Sequence, residues 1–256
     1  ARKEKTTPTP TPLTQWAISK FESSVLQATR DLDALQLRDY VQTAFYKQLK
    51  YFEHFDARAS AEEKSLVAAH CIKRWIQLLS PLIPHACEEL WQHAGEKTLV
   101  SLSEWPAGDE KLVNSLSEAG EDYVESVLTD VRKIISLVRK NPQQKIKSVT
   151  IVIATQAKKA LAKKLLQENS TPQEIMQRDA GEASEGLKAF LEKNFFEYRA
   201  APELMELREE TALANARAFL EQQLGAPVAI EREEKSTLAK AAKAMPLKPA
   251  IQVELG

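Results

Sequence analysis

The sequence is short of cysteine, glycine and histidine, with two, seven and four of them among 256 residues. Two cysteines, Cys71 and Cys87, are too few for a disulfide framework or a thiolate metal site. So few glycines argue against glycine-rich phosphate loops. No apolar run approaches the roughly 20 residues that a membrane-spanning helix needs, and no secretory signal is visible. These absences predict a soluble, cytoplasmic protein without a membrane partner.

Net charge is also nearly absent, at −1, but charges of opposite sign are separated along the chain. Residues 1–130 carry a net charge of −6, and residues 168–234 carry −8. Residues 131–167 contain ten basic residues and no acidic one, and residues 235–256 carry a net charge of +3. The near-neutral total argues against a nucleic-acid partner, whereas the acid-free basic segment indicates one.

Apolar spacing divides the chain into two parts after a proline-alternating stretch. Residues 1–12 cannot form a core and are interpreted as a flexible tail or linker. Apolar side chains then recur at helical spacing as far as about His93, and residues 96–117 resemble a loop. The predicted fold class is mainly α followed by α+β. It comprises an antiparallel helix bundle at 13–117 and a small α+β domain with a short sheet at 118–256.

Local signals place the boundaries of several elements. Ser60 and Glu63 fit a capping box, and Pro84 is suited to open a short helix through His93 that Gly95 closes. The β-branched run Val149–Ile153 predicts a buried strand. Further helices are predicted at 118–140, 156–168, 172–179, 184–194 and 208–224, the last stopped by Gly225, and further strands at 227–231 and 250–255.

The sequence offers no nucleophile–base set for catalysis. His85, Cys87 and His93 are close in sequence, but offsets of two and eight on a helix do not converge well on one metal ion. Glu88 and Glu89 point about 100° apart on a helix and do not form a carboxylate pair. Packing and capping roles explain these residues better than catalysis or metal binding does.

The basic block, defined as the ten basic residues of 131–167, is the sharper signal. Its side chains flank the predicted strand and could meet on one surface that attracts phosphates. The alternative is a solvated lysine-rich helix face, although such faces usually alternate Glu with Lys. The block contains Arg132, Lys133, Arg139, Lys140, Lys145, Lys147, Lys158, Lys159, Lys163 and Lys164.

The C-terminal segment is a second basic region. Lys235, Lys240, Lys243 and Lys248 surround an alanine-rich stretch that ends in a proline-containing tail. An extended tail can offer backbone groups to unstacked bases, which suits RNA recognition. The alternative is an edge strand that completes the small sheet.

Several motifs resemble one family. Pro84-His85 followed by Glu88-Glu89-Leu90-Trp91 resembles a segment of the helical anticodon-binding domain of class I aminoacyl-tRNA synthetases. Ser101-Leu102 before Trp105-Pro106 resembles the leucine group of that family. The ending 244–251 and the stretch 219–225 are similar to archaeal and eukaryotic-type leucyl-tRNA synthetases.

The resemblance implies a tRNA-binding C-terminal portion of such a synthetase, with leucine tRNA and the catalytic portion, in cis or in trans, as partners and no DNA. The signatures H-I-G-H and K-M-S-K-S do not occur in the sequence. We therefore expect no cofactor in this chain, because ATP and Mg²⁺ belong to a catalytic domain outside it. Whether the chain itself acts as an enzyme is left open. One departure is Glu53-His54-Phe55, where the family often carries an Arg-Trp-Tyr set that faces tRNA.

The resemblance also assigns roles to the basic residues. The tail implies base contacts at the tip of the long variable arm, and the basic block implies contacts with the tRNA backbone. The predicted tRNA-binding residues are Arg139, Lys140, Lys145, Lys147, Lys158, Lys159, Lys163, Lys164, Lys243, Lys248, Pro249, Ile251, Val253 and Glu254. The alternatives are a protein–protein scaffold, a free-standing tRNA-binding protein derived from this family, and a stand-alone enzyme with a dispersed site.

Overall fold

A computed structural model describes residues 11–139, 141, 144–167 and 185–256. The chain divides into two compact units, Ala1–Glu118 and Ala119–Gly256, next to the division after residue 117 that the sequence predicts. Residues 1–10 of the predicted tail and the whole predicted helix 172–179 lie outside the described residues.

The first unit is helical. Its helices are α1 (Pro12–Asp33), α2 (Leu37–Val41), α3 (Gln48–Asp56), α4 (Ala61–Leu79) and α5 (Pro84–His93). A π-helical segment, Gln42–Lys47, joins α2 to α3. The loop predicted at 96–117 contains two short 3₁₀ turns, and the next helix begins inside it, at Ser115.

Local features explain where α4 and α5 start and where α5 stops. The predicted capping box of α4 is confirmed: Ser60 Oγ accepts the Glu63 N–H at 3.3 Å, and the Glu63 carboxylate accepts the Ser60 N–H at 2.8 Å. Pro84 occupies the first turn of α5, where its missing N–H costs nothing. Gly95, with φ of +88°, follows the end of α5 in the left-handed conformation that glycine adopts readily.

The first unit buries the carboxylate of Glu22 beside its apolar core. Helix α1 buries Phe21 and Val25 among aromatic and aliphatic side chains from the neighbouring helices. Glu22 lies on the same face with no exposed surface. Its carboxylate accepts hydrogen bonds from Arg74 and from the Asp109 N–H, both at 2.8 Å. This network ties the loop after α5 to α1 and α4.

The second unit combines helices with a small sheet. Its elements are α6 (Ser115–Val138), which starts in the first unit, β1 (Ile146–Ile153), α7 (Gln156–Gln167), α8 (Glu185–Ala200), α9 (Glu209–Leu224), β2 (Val228–Arg232) and β3 (Ala250–Leu255). Most of these bounds lie close to the predicted ones, although α8 extends beyond its predicted end at residue 194.

The sheet is mixed, with strand order β2-β1-β3. Strand β1 is parallel to β2, with Ile151 opposite Ile230, and antiparallel to β3, with Ile151 opposite Ile251. A parallel pair needs a long crossover connection, and the segment that contains α7, α8 and α9 supplies it. Gly225, with φ of +64°, ends α9 before β2 as predicted.

These observations confirm the predicted class, mainly α followed by α+β. In the second unit, one face of β1 packs Val149 and Ile151 against apolar side chains of α6 and α9, which forms its central core. Within the ranges that the structure describes, no helix is long and apolar enough to cross a membrane.

Candidate nucleic-acid interface

Helix α7 carries four lysines of the basic block, and the first of them is fully engaged within the fold. Thr155 caps the helix by accepting the Lys158 N–H at 3.0 Å. Lys158 Nζ lies 2.7 Å from Glu233 Oε1 and also donates to the carbonyl oxygens of Ala242 and Ala244, at 2.9 and 3.1 Å. An ammonium group has three hydrogens to donate, so this side chain has none left for a phosphate.

The next two lysines of α7 also face carboxylates. Lys159 Nζ lies 3.6 Å from Glu209 Oε2 and donates to the Leu207 carbonyl oxygen. Lys163 pairs with Glu206, and this lysine holds the pKa of that carboxyl below its usual range. Lys164 is exposed. The acids come from residues distant in sequence, so the acid-free block does not form an acid-free surface.

Glu209 connects three segments of the second unit. Burial raises the pKa of its carboxyl above the usual range, although Lys159 opposes that shift. Its Oε1 accepts the Leu247 N–H at 2.7 Å, and Leu247 has a φ of +60°. The side chain therefore holds the turn before β3 against the start of α9.

Basic residues nearer the sheet remain more accessible. Lys147 Nζ lies 3.7 Å from Glu254, and Lys248 Nζ lies 2.7 Å from Asp130. The two lysine side chains are still 71% and 53% exposed, so solvent and ions can compete for them. Lys145 and Lys243 are exposed and Arg139 is half-buried, while Lys140 lies outside the described residues.

The C-terminal residues form strand β3 at an edge of the sheet, the alternative that the sequence left open. Ile251 is 7% exposed and belongs to the core of the second unit. Pro249 and Val253 are half-buried, and Glu254 is exposed and accepts a hydrogen bond from Ser148 at 3.1 Å. The implied base contacts of this strand stay a prediction.

A cleft of about 450 Å³ lies beyond the carboxyl ends of the two parallel strands. Its charged lining is mixed: Lys163 pairs with Glu206, and Arg232 with Glu210. The start of α9 adds Arg208 and Glu209 to this lining. Opposite charges in such numbers offset one another, so the cleft gives no strong attraction for an anion.

Two of the residues weighed as metal ligands or acid–base groups, Cys87 and Glu88, have structural roles. Burial raises the pKa of the Cys87 thiol, which makes it a poor ligand. Desolvation raises the pKa of Glu88, but hydrogen bonds from the N–H groups of Val100 and Ser101 outweigh it and lower that pKa. In the described part of the chain, no group of three or more His, Cys, Asp and Glu side chains could hold a metal ion.

The stretch that departs from the family pattern is largely packed inside the bundle. Phe55 is buried, and the half-buried His54 ring lies 4.9 Å from the Trp16 ring. Glu53 is exposed. Only the acidic member of this set therefore faces solvent freely.

The sequence alone does not identify the carboxylates that pair with the lysines of α7. The signal available was the net charge of −8 in residues 168–234, which contain Glu206, Glu209 and Glu233. That signal indicates neutralisation but does not identify the partners, because the crossover that brings them together is not visible in one sequence.

Comparison with known proteins gives a family match and several relatives. The family model for the anticodon-binding domain of tRNA ligase matches residues 14–151. The chain is 28% identical to the leucine–tRNA ligase of Staphylothermus marinus over 246 residues, which cover 93% of this chain and 25% of that protein. It is 29% identical to that of Pyrococcus furiosus and 27% identical to that of Aeropyrum pernix, each over 94% of this chain and 25% of the relative. The chain thus spans about a quarter of the length of these curated relatives.

Proposed function

The chain belongs to the family of anticodon-binding domains of tRNA ligases, and from that premise we propose that it is the tRNA-binding portion of an archaeal-type leucyl-tRNA synthetase. Its ligand in this proposal is leucine tRNA with its long variable arm. The observation that carries the proposal is the alignment of 93–94% of the chain with leucine–tRNA ligases of three archaea.

The reaction itself is proposed to take place elsewhere. ATP-dependent leucylation, with its ATP and Mg²⁺, belongs to a catalytic portion that acts on the bound tRNA in cis or in trans. This chain then contributes binding energy and orientation, which raise the rate of a reaction by holding the reacting groups together. Since leucylation serves translation, the proposed location is the cytoplasm.

Phosphate contacts are proposed for the exposed cations of the second unit. Lys145, Lys147, Lys243 and Lys248 present ammonium groups to solvent, either unburied or in exposed ion pairs that an RNA phosphate can replace. Lys158 and Lys159, with side chains 19% and 12% exposed, instead hold the fold together. The proposal therefore moves backbone contact from α7 to the surface around the sheet.

Binding of leucine tRNA tests the proposal directly. The chain should bind a leucine tRNA transcript more tightly than a tRNA with a short variable arm, and more tightly than duplex DNA of equal length. The affinity should fall steeply with salt, because each phosphate contact releases counterions. Replacing the long variable arm of the leucine tRNA by a short one provides the matched control. Equal affinity for all these nucleic acids would contradict leucine tRNA as the ligand, and no RNA binding would favour a protein–protein scaffold.

A further inference from the structure

A lysine-bearing loop follows β2 and has no carboxylates of its own. This lysine loop, residues 235–243, carries Lys235, Lys240 and Lys243, and all three side chains are exposed. From Lys235 to Val253 the chain contains no Asp or Glu. Local ion pairing within the loop is therefore impossible.

Long-range pairing does not neutralise the loop either. Among the residues that the structure describes, no carboxylate lies within ion-pair distance of the ammonium groups of these three lysines. The lysines of α7 differ, because Lys158 and Lys163 both have carboxylate partners. Unpaired ammonium groups attract phosphate more strongly than paired ones, since no existing contact must be broken.

The loop is also held in one conformation. Lys158 of α7 donates to the carbonyl oxygens of Ala242 and Ala244 on either side of Lys243. The same ammonium pairs with Glu233, which precedes the loop by two residues. Ala241 and Ala244 are buried against Val152 and neighbouring apolar side chains. Lys158, with its side chain 19% exposed, thus joins both ends of the segment that presents the exposed lysines.

We propose that the lysine loop is a preorganised binding site for the phosphates of an RNA backbone, with Lys158 and Glu233 as its positioning residues. This inference rests on the proposed function and assigns a defined part of its phosphate contacts to this loop. A loop that is already ordered loses little conformational entropy on binding, so its charges give more affinity than those of a flexible tail.

The salt dependence of binding tests the role of the three charges. A variant with Lys235→Gln, Lys240→Gln and Lys243→Gln should bind leucine tRNA roughly tenfold or more weakly at moderate salt. Its slope of log K against log salt should shrink by about 2, since each lost phosphate contact removes roughly 0.7–0.9. The control variant, Lys64→Gln, Lys73→Gln and Lys111→Gln, removes the same charge from the first unit and should keep the slope.

The role of Lys158 needs a separate variant and a second measurement. Lys158→Met keeps all three loop charges but removes the three hydrogen bonds to Glu233, Ala242 and Ala244. The affinity should fall several-fold with the slope nearly unchanged, and amide hydrogens of the loop should exchange faster. A slope reduced as in the triple variant would show instead that Lys158 itself contacts phosphate, and would overturn its role as a positioning residue.

Two outcomes separate this inference from the proposed function. If the chain binds leucine tRNA and the triple variant binds equally well with the same slope, the loop is not the phosphate site and the proposed function stands. If leucine tRNA does not bind, inorganic polyphosphate is titrated while the NMR signals of the loop are followed. Shifts confined to the lysine loop would support a polyanion site without the proposed function, and unchanged signals would overturn the inference as well.

Discussion

Replacing Ile251 with alanine would decide whether strand β3 acts as part of the core or as a base-binding tail. Ile251 is 7% exposed and lies opposite Ile151 of the central strand. It belongs to the same apolar cluster as Val149 and Leu220. In this position the side chain cannot reach a base unless the strand leaves the sheet.

The expected cost follows from that burial. Truncation of a core isoleucine to alanine lowers the free energy of unfolding by about 2–5 kcal/mol, the larger values where the surroundings cannot close the cavity. Strand β3 is at an edge and can shift inward, so we expect about 3 kcal/mol for the second unit. With a urea dependence of about 1–3 kcal/mol/M, the unfolding midpoint should fall by roughly 1–3 M.

The positions of the tryptophans allow the two units to be measured separately. All four, Trp16, Trp75, Trp91 and Trp105, lie in the first unit. Tryptophan emission therefore follows the first unit, whereas circular dichroism follows both. The Ile251→Ala variant should lose stability only in the unfolding transition of the second unit, which circular dichroism follows and tryptophan emission does not.

The matched control is Gln252→Ala, the next residue along β3, which is half-buried and lies opposite Thr150. Its cost should be below about 1 kcal/mol, because no core side chain is removed. Binding of leucine tRNA by folded Ile251→Ala should stay close to that of the unmodified chain. A loss of stability under about 1 kcal/mol together with a large loss of tRNA affinity would refute the core assignment.

Two further predictions concern buried carboxylates. Glu22→Gln should destabilise the first unit by about 3 kcal/mol, because Arg74 loses its buried counterion. Burial raises the pKa of Glu22, but hydrogen bonds from Arg74 and other donors outweigh it and hold that pKa below 4.5. The unmodified chain should therefore lose this stabilisation as pH falls below about 4.5 and through the pKa of Glu22 in the folded state, whereas Glu22→Gln should not. The measurement is urea unfolding followed by tryptophan emission, and an equal pH dependence of the two proteins would contradict this prediction. Burial raises the pKa of Glu209 above 4.5, so the folded chain binds more protons just above that pH and stability falls as pH rises. Glu209→Gln should lack that fall in urea unfolding followed by circular dichroism, and an equally steep fall would exclude Glu209 as its source.

Local sequence signals predicted much of the fold because their causes are local. The capping box of Ser60 and Glu63, the proline that opens α5 and the glycine that ends α9 each act within one helical turn. The strand Val149–Ile153 was recognised from its β-branched residues, although β1 begins earlier, at Ile146. Ile146, the first residue of β1, lies between the exposed Lys145 and Lys147. The start of the strand therefore lacks the apolar composition of a buried strand.

The candidate site was less predictable, because its electrostatics depend on contacts far apart in sequence. The acid-free basic block is unusual in the sequence, but Lys158 and Lys159 have their carboxylate partners 75 and 50 residues further along the chain, at Glu233 and Glu209. In the sequence, the lysines of residues 235–243 belong to a longer basic segment that continues to Lys248. Nothing in their local spacing distinguishes them from the paired lysines of α7.

Helical period, caps and β-branched runs act over a few residues, so the elements, their order and the separation of charge follow from the sequence. Which charges are neutralised follows only from the folded chain. A crossover through α7, α8 and α9 makes β1 and β2 parallel and brings acids of residues 206–233 onto the lysines of α7. Charge pairing depends on distance in space, and distance in space is set by the packing of the whole second unit.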